Sequence, residues 1–155
     1  MGRLRYIDSI DITADTLVEV PLTGIIIPDG FVCKITRVVV MAFRSTAGTV
    51  NHKDLFVGIA AKDLGITTLG YSDLQSHSGI IAYANMGEQA STTGSPTAGT
   101  QELELVDMPY SLSPYFILGQ AATIATGPTV NVFMDIDYDL VKITQAIAIA
   151  IAGLN

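Results

Sequence analysis

Apolar and polar residues alternate with a period of two along much of this chain, most regularly between Val130 and Leu140. There Val130, Val132, Met134, Ile136, Tyr138 and Leu140 take one face, while Asn131, Asp135, Asp137 and Asp139 take the other. This is the pattern of a β-strand with one buried face. Continued to Ile143, the strand spans roughly 45 Å at about 3.3 Å per residue, enough to run the length of a β-sandwich. Similar segments bounded by Gly, Pro, Asp or Ser occupy residues 5–12, 16–26, 31–43, 55–61, 80–86, 101–107 and 115–124. With 129–143 they predict about eight strands, and no longer window sustains a helical period, so the expected class is all-β, a sandwich or barrel.

The turns between these segments have chemical reasons. In Pro28-Asp29-Gly30 the proline sets φ and the glycine permits a positive φ. Thr126-Gly127-Pro128 has the same character, which predicts a hairpin between the last two strands. Residues 71–79 and 87–100 are too polar and too rich in small residues for strands and read as loops, the second long enough to be a contact loop.

After the last strand, Ala146-Ile147-Ala148-Ile149-Ala150-Ile151-Ala152-Gly153-Leu154 carries no polar side chain. As a strand it puts Ile147, Ile149 and Ile151 on one face; as a helix it makes an i, i+4 ridge of Ile143, Ile147 and Ile151. The alternation favours the strand. Either form leaves apolar surface that needs cover, from its own domain or from another subunit. The chain therefore divides into a sandwich domain, 1–143, and a short apolar C-terminal arm, 144–155.

Composition sharpens the expectation of contact. The 155 residues suffice for one domain without a disulfide or metal, and the single cysteine, Cys33, lies in an apolar run and reads as a core residue. Charged residues are 15% of the chain against a norm of about 25%, hydrophobic residues are 49%, and mean hydropathy is +0.45. No apolar run approaches the ~18 residues that cross a bilayer, so no transmembrane segment is expected. Asp8 and Asp11 stand where a signal peptide keeps its apolar core, so no cleaved signal is expected either. Net charge is −7, and the eight Lys and Arg are scattered, which argues against direct nucleic-acid binding. Arg3 and Arg5 read as a solvated terminus.

Candidate chemistry is thin. Asp135, Asp137 and Asp139 invite a cation, but alternate residues of a strand are roughly 6.6 Å apart, too far for all three to close on one ion. A pair with help from a neighbouring chain makes an intersubunit cation site, against the simpler reading of a solvated face. His52 and His77 belong to no metal or catalytic spacing, and Gly70-Tyr71-Ser72-Asp73-Leu74 lacks the second glycine of a nucleophile elbow. Glu102 and Glu104 resemble a glycosidase pair by residue type alone, in a chain without Trp. No catalytic residue, resident metal or cofactor is predicted. The stretch from Tyr110 to Tyr115, flanked by Pro109 and Pro114, reads as a proline corner entering a core strand, or as an interface anchor.

The strand order, the corner from Met108-Pro109-Tyr110 to Tyr115, and the strand Phe133-Met134-Asp135-Ile136-Asp137-Tyr138-Asp139-Leu140-Val141-Lys142 resemble the small single jelly-roll structural proteins of viruses and phages. The likeness is one of architecture over most of the chain. It implies an antiparallel, jelly-roll-like sandwich acting as a capsid coat or decoration subunit in the virion, made in the host cytoplasm. It also implies a homo-oligomer, trimer or higher, that joins other capsid subunits. The absence of a long Arg-rich arm tilts this toward a DNA virus. The interface is then expected at Ile147, Ile149, Ile151, Leu154, Tyr110 and Tyr115. The alternative is a phage tail-tip or receptor-binding domain using loops 71–79 and 87–100. A hydrolase on the same scaffold needs His77, Ser72 or the Glu102/Glu104 pair to meet in one pocket.

Overall fold

The computed structural model describes residues 1–11, 17–44, 53–66, 77–88, 99–120 and 129–153. Among these are strands β1 (Gly2–Asp11), β2 (Leu17–Pro21), β3 (Phe31–Arg44), β4 (Lys53–Ala60), β5 (Ile80–Glu88), β6 (Gly99–Glu102), β7 (Glu104–Leu105), β8 (Tyr110–Ser111), β9 (Tyr115–Gln120) and β10 (Thr129–Lys142). One helix, α1 (Gln145–Ala152), closes the chain. One antiparallel sheet runs β1-β10-β3-β6, with β8 also on β3, and the other runs β2-β9-β4-β5-β7. With the two-residue β7 and β8 set aside, the eight principal strands in chain order run 1-8-3-6 in one sheet and 2-7-4-5 in the other. That is the strand order of a jelly roll.

The core lies where the alternation places it. In β10, Val130, Val132, Met134 and Ile136 are buried, facing Phe116 and Leu118 of β9 and Val57 and Ile59 of β4 in one cluster. In β3 the inward set is Cys33 and Ile35, then Val38, Val40 and Ala42. The phase changes because the ladder with β10 slips between Asp137/Arg37 and Tyr138/Ile35, leaving Thr36 as an extra residue, so Thr36 and Arg37 both face outward.

Strands β4 and β9 are instead buried on both faces. Phe56, Ala60 and Ile117, with Leu17 and Ile80, form a second cluster behind the sheet, covered by Leu64, Ile66, Tyr83 and Tyr115. That is why Phe56-Val57-Gly58-Ile59-Ala60 and Phe116-Ile117-Leu118 read as unbroken apolar runs. Gly58 is required there, since a Cβ would come within 2.9 Å of the Ala82 carbonyl oxygen.

Several expectations are corrected. The strands number ten among the described residues, above the eight expected. The described part of the segment 16–26 is strand only over Leu17–Pro21: proline ends the ladder, and the chain turns where Ile25 N–H donates to Leu22 C=O at 3.1 Å. The segment 101–107 is two strands, because the chain passes from one sheet to the other at buried Leu103, whose N–H donates to Val38 C=O at 2.9 Å. The last two strands form no hairpin: β9 and β10 sit in different sheets, β9 between β2 and β4 and β10 between β1 and β3. The apolar arm is a helix, not a strand. The Pro28-Asp29-Gly30 turn is as expected, with Gly30 at φ +79° and Phe31 N–H donating to Pro28 C=O at 3.1 Å. The Thr126-Gly127-Pro128 turn, His52, Ser72, Leu154, residues 71–76 and residues 89–98 lie outside the described residues.

Candidate functional site

Among the described residues no cleft gathers the candidate side chains; two surfaces stand out instead, one apolar and one a ladder of ion pairs. The first is the end of the sandwich that carries α1. Thr144 caps the helix, its Oγ1 accepting from Ile147 N–H at 3.3 Å, and Gly153 N–H closes it on Ile149 C=O at 3.1 Å. This cap, and alanine's helix propensity, outweigh the alternation that favoured a strand. Ile147 is buried and the helix lies against β8, with Ile143 and Ile151 half-buried, as the i, i+4 ridge requires. Ile149 sits about 200° around the helix from Ile147 and is 66% exposed. No charged residue is present in α1, and beyond Gln145 at its start its outer side is Ala and Ile; an apolar face of this kind belongs in a buried setting.

The same end exposes Ile26, Phe31, Met108, Leu112 and Leu140. Their proximity follows from the chain: Ile143 N–H donates to Gly30 C=O, Leu22 N–H donates to Pro114 C=O, and Ile25, Ile27 and Leu112 line one shallow cavity. Phe31 shares the parity of buried Cys33 and Ile35, and Leu140 that of Ile136 and Tyr138. The core-facing alternation therefore runs past the point where the chain's own core ends.

Of the expected interface residues, Ile149 is open on this end and Ile151 half-buried, while Ile147 is spent on holding the helix to its own domain. Tyr110 and Tyr115 are both half-buried. Tyr110 pairs with Lys34 in the β8 ladder, and Tyr115 covers the second cluster behind β4 and β9. Pro109 and Pro114 are buried corner residues, and Ser111 between them donates to Ala61 C=O at 2.6 Å. Sequence reading missed Met108 and Leu112, single apolar residues in turn segments with no periodic context, and Ile26, which it took into the strand segment 16–26.

The second surface is the outer face of the β1/β10 pair, built as a ladder of facing residues. Arg3 grips Asp137 through Nε (2.6 Å) and Nη2 (3.2 Å), and Arg5 grips Asp135 the same way (2.9 and 3.2 Å). The terminal amine lies 3.5 Å from Asp139. Farther along, Ser9 Oγ donates to Asn131 Oδ1 and Thr129 Oγ1 to Asp11 Oδ1, both at 2.6 Å. Hydrogen bonds from the guanidinium groups, first of all, hold the Asp135 and Asp137 carboxyls below their usual range. The aspartates thus have separate protein cations on three rungs, and among the described residues no three His, Cys, Asp or Glu converge to hold a metal ion. The two spaced pairs Arg3/Arg5 and Asp135/Asp137 carried that signal in the sequence. Between the ionic and the hydroxyl rungs, Ile7 faces Phe133, which faces Met41 of β3, an apolar row across the sheet.

The remaining candidates are apart. His77 Nδ1 accepts from Gly79 N–H at 3.1 Å within its own turn. Glu102 lies 3.3 Å from Arg37 on one sheet, and Glu104 belongs to the other. Searched against protein families, curated proteins and solved structures, the chain has no significant match.

Proposed function

We propose that this protein is a virion structural subunit, a capsid coat or decoration protein that self-assembles through symmetric protein contacts and has no catalytic role. The observation that carries this reading is the uncharged helix α1, with Ile149 outward, at an end where core-parity residues Phe31 and Leu140 are also exposed. A single chain gains nothing from such a surface in water; copies arranged about an axis bury it. The jelly-roll strand order supports the same reading, since small proteins of this architecture build viral shells, though fold alone does not fix function. The low charge content agrees.

The test separates folding from assembly. Deleting residues 144–155, and separately substituting Ile149→Lys, is expected to leave the β circular-dichroism spectrum in place and to abolish rings or shells of trimeric or higher order. Ile149 is exposed, so its lysine variant costs the monomer little. An unchanged oligomer in both variants removes the helix-bearing end from the account.

A further inference from the structure

Among the described residues the sandwich has one long open edge. In their sheets β2 has five residues and ends at Pro21, β6 has four and β7 two, whereas β1 runs ten residues with a strand neighbour on the β10 side alone among the described residues. An edge of this length presents a row of backbone N–H and C=O groups ready to pair. Its side chains are self-complementary. Along the outer face β1 reads Arg3, Arg5, Ile7, Ser9, Asp11, cationic at one end and anionic at the other, with an isoleucine 59% exposed at the centre.

We infer that β1 is a two-fold interface, in which β1 pairs antiparallel with β1 of a second copy of this chain in the register centred on Ile7. This deepens the assembly reading above and rests on it. In that register Ile7 faces Ile7 of the second copy, Arg5 faces Ser9 and Arg3 faces Asp11. On the inner face Leu4 meets Ile10 and Tyr6 meets Asp8. The groups for the end contact are in place: two of the N–H groups of Arg3 go to Asp137, leaving its Nη1 side, and Asp11 uses Oδ1 for Thr129, leaving Oδ2. The row Met41–Phe133–Ile7 then continues through the axis into the same row of the second copy. Neighbouring registers are worse. Centring on Asp8 sets two aspartates face to face, and centring on Tyr6 puts Arg5 against Ile7 and Leu4 against Asp8. Registers that place odd positions against even ones turn the charged face onto the core face.

A two-fold contact is tested at its axis. The native cysteine, Cys33, is buried, so a cysteine introduced on β1 gives a clean readout. Under mild oxidation Ile7→Cys is expected to form a covalent dimer, because facing antiparallel residues stand about 4.5 to 5.5 Å apart at Cα, within disulfide reach. Ser9→Cys is expected not to link to itself, its two copies lying about 13 Å apart along the strands, yet to link to Arg5→Cys when the two are mixed. Equal linkage at positions 7 and 9, or none at position 7 in a protein that light scattering shows to be assembled, overturns the β1 contact and leaves the assembly reading standing. A monomer at every concentration overturns both.

Discussion

Glu19 shows how one side chain ties a covering segment to a sheet. From β2 its carboxylate oxygens accept from Leu64 N–H and Gly65 N–H, each at 3.3 Å, and its carboxyl shares a hydrogen bond with Asp63. Burial first, then Asp63, pushes Glu19 up to about 7, while Asp63 is held below the usual range by that same hydrogen bond. The sign of the pH dependence follows. The folded protein favours protonated Glu19, so this contribution is complete below the ordinary value of 4.5 and is lost as pH rises through about 7. Above that, the Glu19 and Asp63 carboxylates face each other. Thermal melts of Glu19→Gln are expected to lose the fall in stability that the native chain shows between about pH 4.5 and about pH 7; an identical fall in both contradicts the pairing. Nothing near Glu19 in the sequence announces Asp63, because the two meet only once the segment after β4 folds back over the sheet. Cys33 was legible: it is fully buried, and burial, then Asp139, pushes its thiol up to about 12.

At the scale of elements, local pattern located most strands and left their partners open. The period-two pattern found the inward set of β10 from Val130 to Ile136, and in β3 the break at Ile35-Thr36-Arg37-Val38 is the bulge itself, visible as two successive polar residues. Sheet membership depends on which face is covered, which no short window contains. Thus Gln101-Glu102-Leu103-Glu104-Leu105 reads as one alternating strand, yet the chain changes sheets at Leu103. Leu103→Ala is expected to destabilise the fold by about 2 to 5 kcal/mol in urea melts, since it empties a buried site where the sheets are joined. A loss below about 1 kcal/mol, the scale of a surface change, contradicts that role. The arm shows the limit of periodicity: Ile147, Ile149 and Ile151 alternate as a strand does, and the same residues make a helix once Thr144 caps it.

For the whole molecule, part of the apolar excess of the sequence stands exposed at the helix-bearing end, and the proposed assembly uses that end and the β1 edge. The proposed assembly assigns a ring contact to the helix-bearing end and a two-fold to the β1 edge. One rotational contact yields only a ring or a dimer, whereas two contacts on crossing axes yield a closed shell. The helix-bearing surface was half legible, because Ile149 stood out in the arm while Ile26, Met108 and Leu112 come together only through the turns at that end. The β1 edge was not legible: Arg3 and Arg5 read as a solvated terminus until their register against Asp137 and Asp135 was visible. The most direct test of the proposed assembly is the mass of the purified chain by light scattering after size-exclusion chromatography, with negative-stain images of the same fractions. The account predicts rings or shells many times the 16.4 kDa of one chain. A clean 16.4 kDa monomer across the concentration range would contradict it.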